Sequence, residues 1–137
     1  MNENENIVRI VLEHYPRAQA IYLFGTHGTA DEWPNSDVDI AVLLPPLQAR
    51  DIPPLALSPC HLELSEALGK EVDLLNARQV STVFQKEIVA SGRLLYCADE
   101  NAVAEFEMLT LSFYQKLNEE RKEILEEFER TGKAYDV

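Results

Sequence analysis

The 137-residue sequence predicts an α/β (α+β) protein: a small mixed sheet packed against helices, with a long C-terminal helix. Three observations predict it. Short continuous apolar runs closed by glycine or proline, "AIYLF" before Gly25 and "DVDIAVLL" before Pro45-Pro46, read as buried strands. Segments with apolar residues at helical spacing stand before and after them. The last stretch, roughly residues 99–131, carries a sustained apolar stripe with no turn signal inside it.

Taken in order, residues 2–15 place Ile7, Ile10, Val11 and Tyr15 on one helical face, with asparagines at 2, 4 and 6 as capping groups and Pro16 as the stop. Residues 20–24 and 37–44 are the two buried strands, and the segment between them is too long for a tight hairpin. Its first part, "THGTADEW", suits a short helix before Pro34 and Asn35 turn the chain. Residues 45–54, "PPLQARDIPP", hold four of the seven prolines and read as a surface excursion. Ser58 is the predicted N-cap and Pro59 the first position of a helix that runs to Gly69. A third strand is expected at 71–76, a helix at 79–91 ended by Gly92, and a last strand at 93–97. In the final helix Phe106, Leu109, Phe113, Leu117, Ile124 and Phe128 define one stripe, while Met108, Leu111 and Tyr114 lie off it. Residues 1–137 are thus read as a single domain; apolar residues on two faces of the helix at about 99–131 suit a partner-binding element, and equally a wide core-facing stripe or a homodimer contact.

Composition narrows the function. Hydrophobic residues make up 46% and charged residues 26%, the balance of a folded soluble protein, and no window approaches the roughly 20 apolar residues that cross a bilayer. The N-terminus lacks a basic segment followed by an apolar one, so a cytoplasmic location is expected. Cys60 and Cys97 have no metal-binding spacing and read as small apolar residues. A net charge of −12, with 24 acidic residues against 12 basic, repels DNA or long RNA, so stable nucleic-acid binding and membrane attachment are not expected. A nucleotide stays compatible with this charge, because a divalent cation held by carboxylates binds phosphates that the bare protein repels.

The chemistry concentrates at one place. Side chains alternate along a strand, so Asp37 and Asp39 share a face while Val38, Ile40 and Val42 take the other. Two carboxylates held side by side repel unless a cation lies between them, and oxygen ligands with room for waters and phosphates suit Mg²⁺ better than zinc. Asp73, in the third strand, is an acid that a neighbouring strand can bring to the same spot. A lone Asp-x-Asp equally describes a strand entrance whose aspartates cap a turn. What favours chemistry is its company: Gly25, which lets backbone approach a phosphate closely, and the Thr26 hydroxyl beside it. Phosphate on one side and metal on the other is the layout of phosphoryl or nucleotidyl transfer.

At these residues the chain resembles the minimal nucleotidyltransferases of the DNA polymerase β-like superfamily, whose pattern is Gly-Ser, ten residues, Asp-x-Asp and a third acid on a later strand. Gly25, Thr26, Asp37, Asp39 and Asp73 fit it without a gap, and "SEALGKEVDLL" resembles the helix-turn-strand leading to the third acid. The resemblance covers roughly residues 7–97 and implies the nucleotidyltransferase fold. It implies that Asp37 and Asp39 ligate Mg²⁺, that Gly25 and Thr26 hold the phosphates of a substrate such as ATP, and that Asp73 completes the metal site or takes the acceptor's proton. Thr26 stands for the usual serine, and Thr29 and Ala30 stand where many members have arginine and glycine, which removes one cation from near the nucleotide.

Small stand-alone members of this family resemble the antitoxin half of a type VII-like toxin–antitoxin pair. The resemblance therefore implies a protein adenylyltransferase that moves AMP from ATP to a tyrosine of a HEPN ribonuclease toxin and so neutralises it. Two alternatives stay open: an antitoxin acting by binding alone, and a transferase for a small molecule such as an antibiotic. His27 and Trp33 lie beside the motif, and Lys70, Arg78 and Lys86 are candidate cations for the triphosphate. The sequence does not choose among them.

Overall fold

The structure is a computed structural model, and it describes residues 2–24 and 38–131. Helix α1 spans Glu3–His14 and starts where predicted: the Asn2 side chain accepts a hydrogen bond from the Glu5 N–H at 2.8 Å. Strand β1 follows at Ala20–Phe24 and β2 at Val38–Leu43. Helices α2 (Pro46–Asp51) and α3 (Pro59–Leu68) precede β3 (Val72–Asn76). The chain then forms α4 (Thr82–Ser91), β4 (Arg93–Cys97) and α5 (Glu100–Thr131). The expected short helix within residues 26–33 lies outside the described residues.

The sheet is mixed, in the order β3-β2-β1-β4. β1 runs antiparallel to both β2 and β4, and β2 pairs with β3 in parallel. Alternation along the strands splits the core in two. Ile21 and Leu23 of β1, Val38, Ile40 and Val42 of β2, and Val72 and Leu74 of β3 pack beneath α1 and α3, against Ile7, Ile10, Val11, Cys60 and Leu64. Ala20, Tyr22 and Phe24 with Ala41 and Leu43 pack on the other side, against Ile88 of α4 and Val103 and Phe106 of α5. Helices therefore cover both faces of the sheet, which is why β1 and β2 read as continuous apolar runs.

Local signals hold the helices in place. The Ser58 side chain accepts from the His61 N–H, Pro59 takes the first turn, and Gly69 closes α3 in the left-handed region at φ +63°. Leu57 also has a positive φ, of 63°, which is costly for a branched residue. Its N–H donates to His61 Nδ1 at 3.0 Å, and His61 Nε2 lies 2.6 Å from the Val72 carbonyl. An accepting Nδ1 leaves the proton on Nε2, so His61 ties the loop before α3 to the outer edge of β3.

Two expectations are corrected. The segment 45–54 is not a bare excursion: Pro46 stands at the start of α2, whose Ala49 is buried and whose Ala49 carbonyl accepts from the side chains of Asn76 and Gln79. Proline content marked the helix start as a loop because a six-residue helix has no room to show a period. In α5 the packed side chains are Val103, Phe106 and Thr110, with Tyr114 and Leu117 half-buried beyond them. Leu109 and Phe113 of the predicted stripe are 40% and 55% exposed. Tyr114, read as off the stripe, packs inward with Lys86 Nζ 5.2 Å from its ring centroid. No helix among the described residues is long and apolar enough to cross a membrane.

Substituting Gly69 with alanine is expected to cost about 1 kcal/mol in urea unfolding, from the backbone alone. No heavy atom lies within 4 Å of the added methyl, so a markedly larger loss would contradict this origin.

Candidate active site

The parallel register of β2 and β3 sets Val38 against Val72, Asp39 against Asp73 and Ile40 against Leu74. Residues paired in register project to the same face, so the two carboxylates stand side by side at the entrances of neighbouring strands. The antiparallel register of β1 and β2 adds Phe24 opposite Asp39. One row across the sheet thus reads Asp73, Asp39, Phe24, with steps of about 4.8 Å from strand to strand. It lies on the face covered further along by α4 and α5. Asp39 is half-buried, Asp73 is exposed, and Phe24 is 7% exposed.

The apolar sequence around the acids forces this arrangement. Val38, Ile40, Val42, Val72 and Leu74 are committed to the core beneath α1 and α3, so the intervening Asp39 and Asp73 must take the opposite face. The row ends in an aromatic pair. Phe84, in the first turns of α4, meets Phe24 edge-on, with ring centroids 5.7 Å apart and planes at 89°. Phe84 is nevertheless 41% exposed. Nothing in the sequence singles it out, because the contact joins residues 60 positions apart.

Of the residues named from sequence, the structure brings Asp39 and Asp73 together; Gly25, Thr26, Asp37, His27 and Trp33 lie outside the described residues. The candidate cations separate. Arg78 is engaged at the far end of β2, where Nε donates to the Leu44 carbonyl at 2.6 Å and Nη2 to Gln19 Oε1 at 2.7 Å, with the guanidinium 5.9 Å from the Phe106 ring centroid. Lys86 covers Tyr114. Lys70 stands just before β3, with Nζ 3.8 Å from Glu3 Oε2, and helps line a cavity of about 430 Å³ with His61, Ser65, Gly69, Glu71 and Val72. Lys70, just before β3, and Arg93, at the start of β4, sit at the same end of the sheet as the two acids.

Other titratable groups are structural. Tyr22 donates to Glu107 Oε1 at 3.1 Å, and burial together with that carboxylate pushes its pKa well above the usual phenol range. Burial pushes the Cys60 thiol up to about 12, so it stays protonated and inert. Both cysteines are free, as expected of small apolar residues.

No group of three or more metal-ligating side chains occurs among the described residues. The Asp39–Asp73 pair nonetheless fits a hard cation: two oxygen donors, one of them open to solvent, leave positions for waters and phosphate oxygens.

Residues 5–101 match the family described as polymerase beta, nucleotidyltransferase. The chain belongs to that family. Among relatives of this nucleotidyltransferase, the protein adenylyltransferase MntA of Shewanella oneidensis strain MR-1 is 34% identical over 127 residues, covering 93% of this chain and 87% of MntA. A crystal structure of a toxin–antitoxin with AMP-PNP superimposes with a TM-score of 0.76 at 34% identity, over 93% of this chain and 98% of that one. The complex of tri-AMPylated Shewanella oneidensis HEPN toxin with MNT antitoxin gives 0.73 at 31% identity, over 91% and 94%. The nucleotidyltransferase described here is accordingly an enzyme of nucleotidyl transfer, with a four-stranded mixed sheet and a long last helix.

Alkylation of the native protein at pH 8 is expected to leave Cys60 unmodified and to label it after unfolding in guanidinium. Native labelling of Cys60, read by peptide mass mapping, would contradict its burial.

Proposed function

We propose that this nucleotidyltransferase is the antitoxin of a type VII-like toxin–antitoxin pair, and that it neutralises a partner HEPN ribonuclease by transferring AMP from ATP to a tyrosine of that toxin. The observation that carries it is the register pairing of Asp39 with Asp73 in a chain 34% identical to a protein adenylyltransferase over nearly its whole length. Asp37, Asp39 and Asp73 are the metal-holding and catalytic residues, and Gly25 and Thr26 bind the nucleotide's phosphates. When bound, Mg²⁺ supplies charge neutralisation to the triphosphate. The tyrosine oxygen attacks the α-phosphorus, an O–P bond forms, and the bond to pyrophosphate breaks. Asp73 takes the phenolic proton, a role supported by its exposure. A reaction that consumes ATP and acts on a ribonuclease belongs in the cytoplasm.

The whole chain forms one domain in this account, and α5 is the partner-binding element. Its domain-facing residues, Val103, Phe106, Thr110, Tyr114 and Leu117, recur every three to four positions, and Ile124 and Phe128 continue the same face. Ile124, Leu125 and Phe128 are 46%, 60% and 45% exposed, and the residues around them are charged. A helical extension this exposed gains little from its own chain, and the apolar stripe supports a protein partner beneath it. The acidic surface suits the basic face of an RNA-cleaving protein.

Intact-mass spectrometry of the partner toxin, incubated with this protein, ATP and Mg²⁺, tests the reaction. The wild type is expected to add one or more AMP units, and Asp39→Asn or Asp73→Asn to slow the addition by about a hundredfold or more while circular dichroism stays native. A toxin silenced without gain of mass would instead favour an antitoxin that acts by binding alone. Replacing Leu125 and Phe128 with glutamate is expected to weaken toxin binding by about tenfold or more in calorimetry without lowering the melting temperature. Unchanged affinity would remove α5 from the interface.

A further inference from the structure

The carboxylate row has an aromatic neighbour that the reaction does not yet use. Phe84 is a large apolar side chain, 41% exposed, held edge-on over Phe24, which is itself in register with Asp39. Val83 beside it is 40% exposed. What sets Phe84 apart from the other exposed apolar side chains is its place, in edge-on contact with the ring next to an acid of the row. We propose that Phe84 is an acceptor-binding residue: its ring receives the aromatic ring of the tyrosine to be adenylylated and directs the phenolic oxygen toward the Asp39–Asp73 pair. This rests on the adenylyl-transfer function proposed above.

Position favours the acceptor over the nucleotide's base. The sheet face that carries Asp39 and Asp73 is also the face that α4 and α5 cover, whereas α1 and α3 lie behind it. The free apolar stripe of α5 and the carboxylate row therefore share one side of the molecule, where α4 and α5 pack side by side on β1. Lys86 of α4, resting on the Tyr114 ring of α5, joins the two helices two residues beyond Phe84. Phe84 reaches the row through its contact with Phe24, the residue in register with Asp39. The dimensions agree: Phe24 and Asp39 are neighbours across one strand spacing of about 4.8 Å, within the span of a tyrosine side chain lying against the outer aromatic ring. Two aromatic rings meeting edge-on or offset gain specifically from each other, so the site selects tyrosine over serine or threonine, whose hydroxyls bring no ring.

Steady-state AMP transfer to the toxin distinguishes this from a packing role. Phe84→Ala is expected to raise the KM for toxin about tenfold and to leave the KM for ATP unchanged. Phe84→Tyr is expected to restore the wild-type value and Phe84→Leu to fall between, with melting temperatures recorded for all three so that the leucine variant reports if alanine unfolds the protein. A rise in the KM for ATP with no change for toxin would make Phe84 a base-stacking residue and overturn the proposal. Unchanged constants for both would reduce Phe84 to packing on Phe24. The wild type measured alongside separates the two levels: no transfer by the wild type sinks the adenylyltransferase function, while normal transfer with an unaffected Phe84→Ala sinks this inference alone.

Discussion

Two like charges stand next to each other on neighbouring strands, and the rest of the molecule is arranged so that they cannot avoid it. Like charges on neighbouring strands repel, the more so where protein displaces water. What overrides the repulsion is the alternation of β2 and β3. Slipping either strand by one residue would relieve the pair but drive an aspartate into the core beneath α1 and α3, where Val38, Ile40, Val72 and Leu74 are buried to within 4% exposure. The core thus holds the acids in register, as a pair of oxygen donors that fits a hard cation.

The two covered faces divide the work. Behind the sheet, α1 and α3 lay Ile7, Ile10, Val11, Cys60 and Leu64 on the buried aliphatic residues of the strands, and the caps at Asn2, Ser58 and Gly69 help set where those helices begin and end. In front, the layer is thinner and more aromatic: Tyr22, Phe24, Phe84 and Phe106 meet in pairs, and Arg78 and Lys86 lie over rings. This is also the face on which Asp39 and Asp73 stand. The stripe of α5 belongs to both tasks, as core where the domain lies beneath it and as free surface beyond Leu117.

Much of this was legible beforehand. Strands 20–24 and 93–97 and the helix from Pro59 to the stop at Gly69 lie where the sequence placed them, because glycine, proline and a capping serine act on their own neighbours. That Asp39 and Asp73 each stand off the core face of a strand was readable from Asp-x-Asp and "EVDLL", since each strand announced its own alternation. Less was visible where the outcome depended on a distant surface. Helix α5 shows apolar residues around much of its circumference, and only the position of the sheet made Tyr114 inward and Phe113 outward. Helix α2 is too short to show a period, and the contacts that hold it, from Asn76 and Gln79 to the Ala49 carbonyl, come from nearly thirty residues away.

By itself the sequence determined the order of elements and the buried strands, because these follow from local periodicity, while the order of its three acids carried the resemblance to nucleotidyltransferases. Tertiary structure alone decided which acids face each other, which aromatic stands beside them and which part of α5 is left uncovered. Those depend on strand register and helix docking, and both are settled by burial summed over contacts far apart in the chain.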